Sequence, residues 1–68
     1  MTKLSVEIGQ LIRKQRTQQG ITQESLALQC GIDRSYMWRI ERGEVNLTVE
    51  KLYEIASVLG ASAKELLP

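Results

Sequence analysis

Leu4, Ile8, Leu11 and Ile12 fall at i, i+4, i+7 and i+8, the spacing that gathers apolar side chains on one face of an α-helix. This stripe predicts a first helix over about residues 5 to 19, with Gly20 as the left-handed residue that ends it. Gly9 interrupts the stripe at a propensity cost of about 1 kcal/mol, which makes sense if the backbone of another helix approaches there. Thr22 is placed to cap a short second helix carrying Leu26, Ala27 and Cys30 and stopped by Gly31. Asp33 caps a third helix, Arg34 to Glu41, that ends at Gly43. Thr48 caps a fourth, whose apolar face is Leu52, Ile55, Ala56 and Leu59 and whose stop is Gly60. Ser62 with Glu65 three residues on makes a capping box and starts a last turn or two before Pro68. Val45 to Val49 alternates weakly, but Asn46 and the flanking Gly and Thr caps make it a loop. The expected fold is all-α: five short helices in a single domain over residues 1–68, with no repeat, linker or low-complexity tract.

The second and third helices are joined across Cys30-Gly31-Ile32, the short glycine turn of a helix-turn-helix over about residues 22–42. In that motif the second helix can enter a DNA major groove. At about 100° per residue, Arg34, Ser35, Trp38, Arg39 and Arg42 share one face of the third helix, while Tyr36, Met37, Ile40 and Glu41 turn the other way. A solvated cationic face needs no tryptophan at its centre, because an indole in water wants a partner to cover it. Arginine can pair bidentately with guanine edges, and serine can donate or accept to several bases. The face therefore reads as a recognition surface.

Composition removes other chemistries. The chain has no His and one Cys, so zinc sites and Ser-His or Cys-His nucleophiles are not expected, nor is a disulfide. No enzymatic activity, cofactor, metal or small-molecule ligand is expected, and Cys30 reads as a small buried hydrophobe. Charge breaks the apolar residues of the N-terminus within seven positions, which argues against a signal peptide or membrane span and leaves the cytoplasm as the expected location. The net charge of +1 speaks against a strongly basic nucleic-acid binder until it is divided. Residues 1–42 hold seven basic against four acidic side chains, +3, and residues 43–68 hold two against four, −2. The near-neutral total conceals a dipolar chain whose basic end carries the third helix.

The run ITQESLALQCGIDRSYMWRIERGEVNL, Ile21 to Leu47, resembles the helix-turn-helix of the lambda-repressor-like, Cro-type (XRE) regulators. The similar positions are Thr22-Gln23-Glu24, Ala27, Gly31 and Ile40-Glu41-Arg42-Gly43, with Asn46 beyond. Within that family, Asp-Arg-Ser-Tyr followed by Ile-Glu-Arg-Gly and Asn46-Leu47-Thr48 most resembles the small controller proteins of restriction-modification systems. The resemblance implies a five-helix DNA-binding domain that regulates transcription, with Arg34, Ser35, Trp38 and Arg39 toward base edges. It also implies phosphate contacts from Thr22, Gln23, Tyr36, Arg42 and Asn46, Gln23 bracing the start of the third helix as well. Tyr36 reads equally well as a core residue sealing the third helix to the fourth. Arg16 and Glu41 match a family ion pair joining the first helix to the third. Trp38 departs from the pattern, since the family usually places a small or polar residue there.

A chain of 68 residues gains only about 3 to 5 kcal/mol from one core, and a homodimer would add to that. Leu47, Ala63, Leu66 and Leu67 are the candidates for a two-fold contact, although Leu66 equally suits closing the core. Such a dimer would set two recognition helices about 34 to 36 Å apart on double-stranded DNA with a roughly palindromic operator. Glu44, Glu50 and Glu54 are candidates for a contact with RNA polymerase. Other readings are a phage or plasmid repressor, an antitoxin or adaptor using the Trp38 face on a protein, and an RNA binder, for which the aromatic supply is thin.

Overall fold

The computed structural model describes residues 2–68. Its helices are α1 (Lys3–Gln18), α2 (Gln23–Gln29), α3 (Arg34–Glu41) and α4 (Val49–Leu59), followed by a 3-10 turn at Ala63–Leu66. There is no strand among the described residues. The three predicted N-terminal boundaries of α2, α3 and α4 follow from local cap chemistry. Thr22 Oγ1 accepts from the Ser25 amide at 3.0 Å, an Asp33 carboxylate oxygen from the Ser35 amide at 2.9 Å, and Thr48 Oγ1 from the Lys51 amide at 3.1 Å. The expected fifth helix is shorter than a helix. The Glu65 carboxylate does accept from the Ser62 amide at 3.2 Å, but the four residues that follow the cap close 3-10 rather than α-helical turns.

α1 begins two residues before its expected start, because Thr2 Oγ1 accepts from the Ser5 amide at 3.0 Å and caps it. Its buried ridge is also turned by one residue from the apolar stripe. Ser5, Gly9 and Ile12 are the buried positions, Ile8 and Leu11 are half-buried, and Leu4 stays exposed. The ridge is small because backbone packs on backbone there. A methyl group at Gly9 would lie 2.5 Å from the Ile40 carbonyl oxygen and 2.7 Å from that of Glu41, so the last turn of α3 rests directly on α1. This is the close approach that the sequence required of Gly9. Gly43 adds a second close approach, at φ +78°, where a Cβ would lie 2.5 Å from Val6 Cα; no other residue meets both demands.

Ile12, Leu26, Met37, Ile40, Ile55 and Leu66 are fully buried, with Ala27, Leu52, Ala56 and Leu59 around them. Each large side chain so removed from water contributes roughly 1.5–3 kcal/mol. Leu66 is thus spent inside its own protomer, as the anchor of the 3-10 turn, and offers nothing to a partner. Cys30 is half-buried against this core rather than inside it, and desolvation there pushes its thiol pKa up, which disfavours the thiolate. Two polar ties hold the ends of α1. Ser5 Oγ donates to Asn46 Oδ1 at 2.8 Å, and Gln19 Nε2 donates to the Leu59 carbonyl at 2.6 Å.

Candidate nucleic-acid interface

α3 has two faces of opposite character. Met37, Ile40 and Glu41 are buried, and Tyr36 is half-buried against the core. Arg34, Ser35, Trp38, Arg39 and the capping residue Arg42 are all exposed. The five residues grouped by helical spacing therefore do share the outward face. Trp38, 46% exposed, is covered in part by its own helix, since the Arg42 guanidinium sits 4.6 Å from the centre of its ring. Such a cation–π contact at an exposed site is worth about 0.5–1 kcal/mol, enough to lay Arg42 along the helix.

The position of α3 is set by one buried carboxylate. Glu41, its side chain 2% exposed, accepts from Arg16 Nε at 2.7 Å and Nη2 at 3.1 Å, and from Gln23 Nε2 at 2.9 Å. Arg16 Nη1 in turn donates to the Ile21 carbonyl at 2.8 Å. One carboxylate thereby gathers α1, the α1–α2 turn, α2 and α3, and every donor it holds is satisfied. The ion pair implied by the family resemblance is present. Gln23 differs from expectation: its amide donates to Glu41 in the last turn of α3, while its neighbour Glu24 lies beside Arg34 at the first.

The outward arginines are also paired, but loosely. Arg34 lies 3.6 Å from Glu24 across the turn, Arg42 Nε donates to Glu44 at 2.7 Å, and Arg39 Nε lies 3.9 Å from the same carboxylate. Ser35 Oγ donates to the Asp33 carboxylate. That bond and the Ser35 amide hold the Asp33 carboxyl below its ordinary range. Beside this face two adjoining hollows share Thr22, Gln23 and Trp38, one bounded by Glu24, Arg34 and Ser35 and the other by Arg13, Arg16, Glu41 and Arg42. Arg13 carried no periodic or motif signal, yet α1 brings it to the groove as a further exposed cation.

Other predicted residues lie apart from this face. Asn46 is exposed in the α3–α4 loop with its carbonyl oxygen taken by Ser5. Leu47 and Ala63 are half-buried and packed against the core, and Leu67 is 46% exposed. Val49 and Tyr53, one helical turn apart on α4, are more exposed than Leu67 and were not singled out by sequence. Among the described residues no cluster of His, Cys, Asp and Glu could hold a metal ion, and no helix is long and apolar enough to cross a membrane.

Two short helices joined by a glycine turn, the second presenting a cationic outer face, make the helix-turn-helix of DNA-binding proteins. The chain belongs to the HTH_3 helix-turn-helix family of transcription regulators, whose model matches residues 12–66. It is 37% identical over 60 residues to the control protein C.BamHI of Bacillus amyloliquefaciens, covering 87% of this chain and 74% of that one. Its structure matches that of the restriction-modification controller protein C.AhdI from Aeromonas hydrophila with a TM-score of 0.87 at 39% identity, covering 91% of this chain and 94% of the other. A hypothetical transcription factor of Neisseria meningitidis serogroup B is 40% identical over 52 residues, 76% of this chain, and the match spans 49% of that protein's length. Four helices and a 3-10 turn thus build the architecture for which five helices were expected.

Proposed function

We propose that the chain forms a homodimeric, sequence-specific regulator that binds double-stranded DNA at a roughly palindromic operator, in the manner of a restriction-modification controller acting at its own gene. It works in the cytoplasm as one domain, without enzymatic activity or a cofactor. The observation that carries this reading is the outward face of α3, where three arginines, a serine and a tryptophan stand exposed on a helix whose inner face is locked to α1 and α2. Arg34, Ser35 and Arg39 read base edges, with Trp38 beside them. The Ser35 hydroxyl can donate or accept and so suits several base edges. Arg42, Thr22, Gln23, Asn46 and Arg13 serve the phosphates. Tyr36, packed inward, supports α3 from behind. Leu67, with Leu47 and Ala63 beside it, supplies the apolar part of the two-fold contact. Glu50 is the acidic residue left for polymerase, since Glu44 and Glu54 hold cations.

Footprinting on DNA flanking its own gene, at low and at physiological salt, tests the reading. A protected symmetric site is expected. No protection at low salt, together with capture of a protein through the Trp38 face, would replace it with the adaptor reading. Arg39→Ala should relax preference at one position of each half-site at a cost of about 1–3 kcal/mol, whereas Arg42→Ala should weaken all sequences alike and flatten the salt slope by about one. Equal losses on operator and random DNA for Arg39→Ala would remove it from the base readers.

A further inference from the structure

We infer that Glu44 is a specificity-determining residue, a carboxylate that holds Arg39 and Arg42 on the outward face of α3 and so penalises random DNA more than the operator. The inference rests on the DNA-binding reading above. Glu44 is rigidly placed for the task. Its amide donates to the Arg39 carbonyl at 3.0 Å, and the residue before it is the turn glycine wedged against Val6. From there one carboxylate oxygen accepts from Arg42 Nε at 2.7 Å while the other lies 3.9 Å from Arg39 Nε. Arg42 is further fixed by the Trp38 ring beneath it. Two of the three arginines on the face thus answer to one anion, itself only 31% exposed.

A phosphate approaching Arg42 must compete with that carboxylate and is repelled by it. Random DNA offers phosphates and nothing else, so it bears the whole penalty. An operator also offers a base edge to Arg39, and a side chain already held along the helix loses less freedom on reaching it. The like-charge element acts against the wrong partner, which is how discrimination is commonly built. Glu24 repeats the arrangement more weakly, since its pair with Arg34 is 3.6 Å long and highly exposed at both ends.

The test is Glu44→Gln in the full chain, with Glu54→Gln as its counterpart. The second variant also removes one negative charge and one 2.7 Å ion pair, with Lys51, but on α4. Binding to the footprinted operator and to a random duplex is measured over a salt series, after circular dichroism has shown both variants to be folded. E44Q should bind the random duplex about two- to fivefold more tightly and the operator less than about twofold more tightly. Its salt slope on the random duplex should steepen by about one, and E54Q should match the wild type on both. An E44Q indistinguishable from wild type, or one that tightens on both duplexes equally or no more than E54Q, would overturn the inference while leaving DNA binding intact. A wild-type chain that binds neither duplex at low salt would overturn the DNA-binding reading itself, and this inference with it.

Discussion

Two arginine–glutamate pairs flank the end of α3, Arg16–Glu41 on its inner side and Arg42–Glu44 on its outer side, and each closes at 2.7 Å. Distance does not separate them. The inner pair is 11% and 2% exposed, the outer 57% and 31%. The inner carboxylate has three donors from two residues, and its arginine spends a further nitrogen on the Ile21 carbonyl. The outer carboxylate shares itself between two exposed guanidiniums. Removing one member of the inner pair strands a desolvated charge, whereas water or a phosphate can replace either member of the outer one. Within a few residues the same chemistry therefore serves as a fastener and as an exchangeable counter-charge, and burial decides which.

Several substitutions would erase that distinction if it is wrong. Glu41→Gln keeps the shape but leaves Arg16 without a counter-charge, and should cost about 3–5 kcal/mol, comparable with the whole stability of a chain this size. Denaturant titration reads it, and a loss below about 1 kcal/mol would put the inner pair on the same footing as the outer. Gly9→Ala gains about 1 kcal/mol of helix propensity yet forces its methyl into the Ile40 and Glu41 carbonyls. A net loss of about 1–3 kcal/mol is expected, with weakened DNA binding because α3 must move. Arg42→Ala breaks the outer pair and should change the unfolding free energy by less than about 0.5 kcal/mol. The smallest effect belongs to Asp33. Its folded carboxyl titrates below the ordinary range because Ser35 donates to it twice. Its contribution is complete above the ordinary carboxylate range and fades as pH falls through the folded value. Asp33→Asn should therefore lower stability slightly near neutrality and flatten the acid limb below about pH 4, so that the two profiles converge as pH falls.

The boundaries of α2, α3 and α4 were legible because a cap is a local bond between residues a few positions apart, and Thr22, Asp33 and Thr48 each make theirs. The inner and outer faces of α3 were legible for the same reason, since one helix's periodicity places them. Gly9 could be read because its cost had no local explanation. The missing parts all depend on contacts between segments. The rotation of the α1 ridge toward Ser5 and Gly9 follows from where α3 lands, which the apolar stripe does not encode. The bond from Gln23 to Glu41 depends on the crossing of α2 and α3, and Arg13 joins the groove only because α1 passes beside it. Leu66 and Leu67 are neighbours of one chemical kind, and only the path of the 3-10 turn assigns one to the core and the other to the surface.

The backbone seating of α3 on Gly9 has a mechanical consequence. Side chains between two helices act as bearings, because rotamer changes let one helix tilt over the other. Here the Ile40 and Glu41 carbonyls meet α1 with no side chain between them, so there is no bearing. The angle at which α3 leaves the body is fixed before any encounter, and a duplex that does not suit it must change its own groove width or bend to do so. Operators for such a helix would be selected by how readily their base steps deform as well as by the edges they present.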